Sequence, residues 1–178
     1  MLYHCDAVQV AGKVDINLRS LPINYLSLTG HKFHAPKGIG VLYVRRKTSA
    51  SPFVHGGHQE CNLRGGTESV PLIVGVGKAT EPARKHVTNY EQKVRPLRDA
   101  LEEGILNSIA NAELNGHETQ RLANTSNLSF HGIESEALLI LLDKQEICAS
   151  SGSVCLADTD EPFHVIKAVR ADTMHLVK

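Results

Sequence analysis

Excess charge of either sign is missing from this 178-residue chain: nineteen Lys plus Arg face nineteen Asp plus Glu, for a formal charge of zero. That balance leaves no electrostatic footprint for nucleic acid or for an anionic membrane surface. Long apolar runs are missing too. None reaches the roughly 20 residues a membrane helix needs, and the N-terminus lacks the basic-then-apolar pattern of a secretory signal. The four cysteines, Cys5, Cys61, Cys148 and Cys155, have neither the density nor the spacing of a disulfide framework. A reducing compartment follows, and the cytoplasm is the expected location. Repeats and low-complexity tracts are also absent. Ten histidines raise the question of a metal. His55-Gly-Gly-His58-Gln-Glu-Cys61 gathers ligand types at close spacing, but no second cluster completes four ligands, so no metal is expected.

What is present begins with Thr29-Gly-His-Lys-Phe-His-Ala-Pro-Lys-Gly38. Tyr25-Leu-Ser-Leu28 before it has the pattern of a short strand, which puts Lys32 on the turn that leaves it. Pro36 and Gly38 forbid a long helix and keep that turn tight. A lysine lodged beside phosphate-binding groups is what an aldehyde cofactor such as pyridoxal phosphate (PLP) needs to be held as an imine. Leu2-Tyr-His-Cys5 has the pattern of another strand, ending in Asp6, with Ala7-Val-Gln9 as the first turn of a helix. A carboxylate there could keep a pyridine nitrogen protonated, the state in which such a ring is an electron sink. Ser150-Ser-Gly-Ser-Val-Cys155 places a thiol at the end of a small-residue run, a loop able to bring a nucleophile to a bound substrate.

Asp6-to-Gln9, Thr29-to-Gly40, Gly56-Gly-His-Gln-Glu60, Arg64-Gly-Gly-Thr-Glu68, Asn124-Thr-Ser-Asn127 and Ser150-to-Cys155 resemble, in their order, the motifs of the NifS-like cysteine desulfurases. The resemblance runs from about Leu2 to about Val169. It implies a PLP-dependent, fold-type-I homodimer of the class-V aminotransferase family that takes sulfur from L-cysteine. The products would be L-alanine and a persulfide, destined for iron-sulfur cluster assembly through a scaffold or other acceptor protein, nitrogen fixation being one setting.

The residue roles follow from the resemblance, each beside a plainer alternative. Lys32 would hold the cofactor and move the substrate Cα proton; otherwise it is a solvated surface lysine. Asp6 would pair with the ring nitrogen, and an N-cap role is compatible with that. Gln9 would bond the ring hydroxyl. Thr29 and His31 would contact the phosphate, although His31 could equally be a packed histidine. Thr67 would reach the phosphate of a neighbouring subunit, while Arg64 shapes its loop. Cys155 would accept the sulfur; a buried inert cysteine is the alternative. Cys5, Cys61 and Cys148 are expected to be structural.

The expected architecture is α/β: residues 1–75 as part of a fold-type-I PLP-binding large domain with a mostly parallel sheet, and residues 76–178 as a smaller α/β C-terminal domain. Strands are expected near 2–5, 24–28, 40–45, 127–130 and 147–148, with a β-like patch from Leu114 and a short one at 56–60. Helices are expected over 7–12, 134–143 and 161–169, and over 71–107 with breaks near Pro82 and Pro96. Arg84, Lys85, Glu91, Lys93, Glu102 and Glu103 are expected on the wet face of that last stretch.

The resemblance also marks what is not here. The family's preceding segment, with its phosphate-binding turn and ring-stacking histidine, has no counterpart, nor does its later carboxylate-binding arginine, since Arg170 comes too early. The chain therefore reads as the middle-to-late portion of a desulfurase. Val154 and Leu156-Ala-Asp-Thr-Asp160 depart from the small-residue pattern and would stiffen the thiol loop. Two further functions compete: a selenocysteine lyase-like enzyme, and an inactive fragment serving as a binding or dimerisation module.

Overall fold

The computed structural model describes residues 1–151 and 164–169. They belong to two compact units, the first ending at Val94 and the second beginning at Arg95. In the first, β1 (His4–Asp6), β2 (Tyr25–Thr29) and β3 (Gly40–Val44) form a sheet in the order β1-β2-β3. β1 and β2 are parallel, with Asp6 level with Ser27. β3 is antiparallel to β2 and places Gly40 opposite Thr29. The described sheet is thus mixed, where the sequence implies a mostly parallel one. Only residues 30–39 separate β2 from β3, fewer than the roughly dozen a parallel crossover needs, so the chain turns back.

One side of this sheet is its core side. Ala7, Ile23 and Leu26 are buried together, with Cys5, Val10, Leu28 and Tyr43 against them. Because side chains alternate along a strand, His4, Asp6, Ser27 and Thr29 share the other face. The expected helix over 7–12 is instead a string of turns, in which Val10 and Ala11 donate to the Ala7 carbonyl and Lys13 to that of Val10. Gly12 ends it at φ +77°, where a Cβ would come within 3.1 Å of Phe33 Cβ.

The helix α1 runs unbroken from Val70 to Ser108, 39 residues, through both Pro82 and Pro96. This corrects the expected breaks. A proline inside a helix removes one backbone hydrogen bond and costs about 3 kcal/mol. Packing on both sides of Pro82 offsets that cost: Val76 is buried with Ala11, Phe33 and Ala35, and Ala79 and Ala83 lie against the same cluster. Gly75 is pressed so close to Pro36 that a Cβ would meet its ring at 2.9 Å. The sequence-based boundary at 75/76 thus precedes the division at Val94.

In the second unit β4 (Ala112–Leu114) and β5 (Leu128–Phe130) form an antiparallel pair, followed by α2 (Ser135–Asp143); α3 spans His164–Val169. Two expected strands are not formed. Ile147-Cys148 is irregular, reached through turns at 144–146. The segment after Gly56 closes into a left-handed turn, with Glu60, Cys61 and Asn62 at φ 48°, 56° and 66°. Among the described residues no helix is long and apolar enough to cross a membrane.

Candidate active site

The two parallel strands deliver the site. Asp6 is the last residue of β1 and lies level with Ser27, so the C-terminal ends of β1 and β2 sit side by side. Ligands of α/β proteins bind outside such carboxyl ends. Asp6 is exposed, and its Oδ1 accepts the Val8 N–H at 3.0 Å. That bond is the turn-capping role weighed for it; it orients the carboxyl group rather than hiding it. Gln9 is exposed in the turn that follows.

β2 hands over directly to a 3-10 turn, Gly30–Phe33, which carries His31 and Lys32. Phe33 is buried and plugs the turn into the core, while His31 and Lys32 face solvent. Gly30 lets the backbone approach closely: a Cβ there would lie 2.9 Å from Ala35 Cβ and 3.0 Å from Val76 Cγ2. His34 closes the turn in the left-handed region at φ 71°. Thr29 Oγ1 and His31 Nδ1 share a hydrogen bond of 3.1 Å. The structure therefore brings Thr29, His31 and Lys32 together, with Asp6 on the neighbouring strand end.

Sequence reasoning missed Lys13 here. Gly12 packs on Phe33, which brings the next residue, Lys13, to Lys32. Burial and then the Lys32 charge pull the Lys13 ammonium below the ordinary lysine value. A cation following a Gly that must approach the lysine turn was the available signal.

Thr67 is exposed in the loop before α1. The loop is closed by its own bonds: Gly65 N–H donates to the Val54 carbonyl at 2.8 Å, Gly66 N–H to Gln59 Oε1 at 3.1 Å, and His58 Nδ1 lies 2.6 Å from Asn62 Oδ1. Arg64 donates to the Gly65 carbonyl at 2.8 Å. Among the described residues no three His, Cys, Asp or Glu side chains gather as a metal site. Cys155 lies outside the described residues.

The family profile described as aminotransferase class-V matches residues 1–176. This chain belongs to the class-V aminotransferase family. Among its relatives, a cysteine desulfurase of Gluconacetobacter diazotrophicus is 52% identical over 168 residues, covering 94% of this chain and 42% of the relative. Cysteine desulfurase NifS of Azotobacter vinelandii is 48% identical over 169 residues, covering 95% and 42%. Of solved structures, a NifS-like protein superimposes with a TM-score of 0.84 at 35% identity, over 98% of this chain and 44% of that one. The NifS-like protein from Rickettsia africae gives 0.79 at 30% identity, over 90% and 45%. The chain thus spans about 42% of the length of these desulfurase relatives.

Membership in the class-V aminotransferases implies pyridoxal phosphate as cofactor. The donor set fits it in part. An exposed carboxylate and a lysine with no hydrogen bond among the described residues stand on adjacent strand ends. The Thr29 hydroxyl and His31 imidazole, now bonded to each other, are the donor types that serve a phosphate. The polar face that bears Asp6 and Thr29 is the open one.

The second unit holds a group that periodicity misplaced. Glu102, expected on the wet face of α1, is only 5% exposed, and Arg98 one turn earlier is 6% exposed. Arg121 grips Glu102 with both terminal nitrogens, one at 2.6 Å, and Arg98 Nε lies 4.0 Å away. Burial pushes the Glu102 carboxyl up, but hydrogen bonds from Arg121 and Ser126 and the charges of both arginines outweigh it and hold it below the usual carboxylate range. Arg121 is correspondingly raised by its bond to Glu102. An Arg and a Glu four residues apart on one helix were the only local hint, and their partner lies beyond β4.

Proposed function

We propose that this chain is part of a cysteine desulfurase, using PLP to take sulfur from L-cysteine and leaving L-alanine and a persulfide on Cys155. One observation carries the reading: Asp6 and Lys32 stand at the carboxyl ends of adjacent parallel strands, Asp6 on β1 and Lys32 on the turn leaving β2. Relatives about half identical to this chain bear the name cysteine desulfurase, which supports the choice of substrate over a selenocysteine lyase.

When bound, the cofactor supplies a protonated pyridine ring that draws electrons from the substrate carbon. Asp6 holds the proton at the ring nitrogen with its carboxylate, and Gln9 bonds the ring hydroxyl. Thr29 and His31 bind the phosphate, and Thr67 serves the phosphate of a second copy in a homodimer. Lys32 holds the cofactor aldehyde and moves the substrate Cα proton with its amine. The Cys155 thiolate attacks the substrate sulfur, forming the S–S bond as the Cβ–S bond breaks; the carbon fragment is protonated and leaves as alanine. An iron-sulfur scaffold or similar acceptor then takes the terminal sulfur in the cytoplasm. Residues 1–75 belong to the cofactor-binding large domain, and 76–178 to the smaller domain that delivers Cys155.

The test uses the chain extended to the length of its relatives. Lys32→Ala is expected to remove the visible absorbance of the bound cofactor and to lower sulfide release by more than about a thousandfold, the scale of losing a covalent and acid-base group together. Cys155→Ala should keep the absorbance and stop sulfide release. An unchanged spectrum in Lys32→Ala, with cofactor still bound, rules out this site.

A further inference from the structure

Ser27 is bonded on both sides of Asp6. Its backbone carbonyl accepts the Ala7 N–H at 2.9 Å, one residue after Asp6. Its hydroxyl shares a 2.8 Å hydrogen bond with Nε2 of His4, two residues before Asp6. Ser27 is itself the residue level with Asp6 across the β1-β2 pair, and His4, Asp6 and Ser27 share one face by strand alternation.

This matters because β1 is short: it has three residues, which among the described residues pair with β2. At its start, Asn24 Oδ1 accepts the Tyr3 N–H at 2.8 Å. At its end, Ala7 is buried, 2% exposed. Between those anchors, the side-chain link nearest Asp6 is His4–Ser27. A carboxylate that must meet a ring nitrogen needs its own strand fixed, since small displacements of an aligned group cost rate disproportionately.

We propose that Ser27, acting with His4, is a positioning residue for Asp6: the hydroxyl–imidazole link across β1 and β2 fixes the strand end that aims the Asp6 carboxylate at its cationic partner. The proposal rests on the assignment of Asp6 above and adds two residues to the site.

The first arm is independent of the cofactor. In the 178-residue chain, the Val8 amide proton reports on Asp6, whose Oδ1 it meets at 3.0 Å. Ser27→Ala and His4→Ala should both shift that amide signal and speed its exchange with solvent, while Ser27→Thr, which keeps a hydroxyl, restores it. In the extended protein, Ser27→Ala should weaken PLP binding by up to about tenfold, the worth of one well-placed hydrogen bond, and change the visible band. Ser27→Thr should recover both, with far-UV circular dichroism the same throughout. A Val8 amide and a cofactor band unmoved by Ser27→Ala and His4→Ala would overturn the proposal, as would equal losses in Ser27→Thr and Ser27→Ala. Asp6→Asn separates the two levels: if it leaves the band unchanged, the assignment of Asp6 to the ring fails, whereas a changed band with silent Ser27 and His4 variants defeats only the positioning role.

Discussion

The two units treat their charges in opposite ways. In the second, Arg98, Glu102 and Arg121 are withdrawn from solvent, Glu102 paired with Arg121 and Arg98 with the half-exposed Asp99. In the first, Asp6 at the end of β1 and Lys32 on the turn leaving β2 stand exposed, and the Lys32 charge adds to burial in lowering the Lys13 ammonium. A buried charge must be paired because desolvation is costly, so the second unit's arrangement serves to keep its fold free of an uncompensated charge. Exposed groups at the carboxyl ends of strands contribute little to folding and are free to meet a ligand. The contrast separates residues that hold the chain together from residues that can act.

The largest expected effect attacks the buried side of that contrast. Arg121→Ala strands the Glu102 carboxylate, 7% exposed in its side chain, with Arg98 at 4.0 Å as its remaining cation. Breaking a buried pair in this way costs about 3–5 kcal/mol, and the retained Arg98 places this case at the lower end. Urea unfolding of the purified chain measures it. Glu81→Gln, which removes the exposed pair between Lys78 and Glu81, should shift the midpoint hardly at all. Equal effects in the two variants would erase the distinction between the units.

The same carboxyl group sets a pH dependence. Glu102 titrates below its ordinary value of about 4.5 in the folded chain, so below that pH the unfolded chain binds more protons than the folded one. Stability from this group is therefore complete above about pH 4.5 and falls as pH drops toward the lowered folded value. Unfolding free energy measured between pH 6 and pH 3 should decline over the acid part of that range, and less steeply in Glu102→Gln. A flat profile in the parent chain would contradict the pairing.

How much of this was legible in the sequence depends on the range of the interactions. Tyr25-Leu-Ser-Leu28 and Gly40-Val-Leu-Tyr-Val44 announce their strands locally, and the apolar run after Glu134 announces α2; each is found within a residue or two of its expected place. The lysine turn was legible because Pro36 and Gly38 exclude a long helix there by themselves. What escaped was set by distant partners. α1 continues past Pro82 because Val76, Ala79 and Ala83 lie on a cluster that includes Phe33. Glu102 is buried because Arg121 reaches it. The direction of β3 was hidden because strand pattern carries no orientation; the short connection from Thr29 to Gly40 decided it. The candidate site shows the same split: Asp6, Thr29, His31 and Lys32 came from motif, while Lys13, Ser27 and His4 came from register and packing.

A smaller effect tests whether the exposed lysine depends on the core beneath it. Gly30→Ala would press a Cβ to 2.9 Å from Ala35 Cβ and 3.0 Å from Val76 Cγ2. Neither can swing away as the end of a long side chain could, so overpacking of about 1–3 kcal/mol is expected. Thermal unfolding is the measurement, and a loss beyond Ser49→Ala, a change at an exposed irregular position, would tie the lysine turn to the core. An unchanged midpoint would mean that the turn shifts without cost and that the core does not place Lys32.

The smallest effect concerns the loop that carries Thr67 and has the opposite sign. Glu60, Cys61 and Asn62 hold φ values of 48°, 56° and 66° in succession, a left-handed turn that costs L-residues about 1–2 kcal/mol each, asparagine excepted. The loop keeps the conformation because bonds around it close: Gly66 N–H reaches Gln59 Oε1, His58 meets Asn62, and Gly65 is pressed against Gly56. Cys61 is exposed, so glycine there removes the steric cost and little packing. The added freedom of the unfolded chain takes back part of the gain. Cys61→Gly is therefore expected to raise stability by about 0.5–1 kcal/mol, with Glu60→Gly adding a similar increment. Destabilisation by either would show that the turn is not strained. Stabilisation would place the first unit's strain in the loop next to Thr67, where local strain tends to accompany function, whereas the second unit's buried charges are compensated.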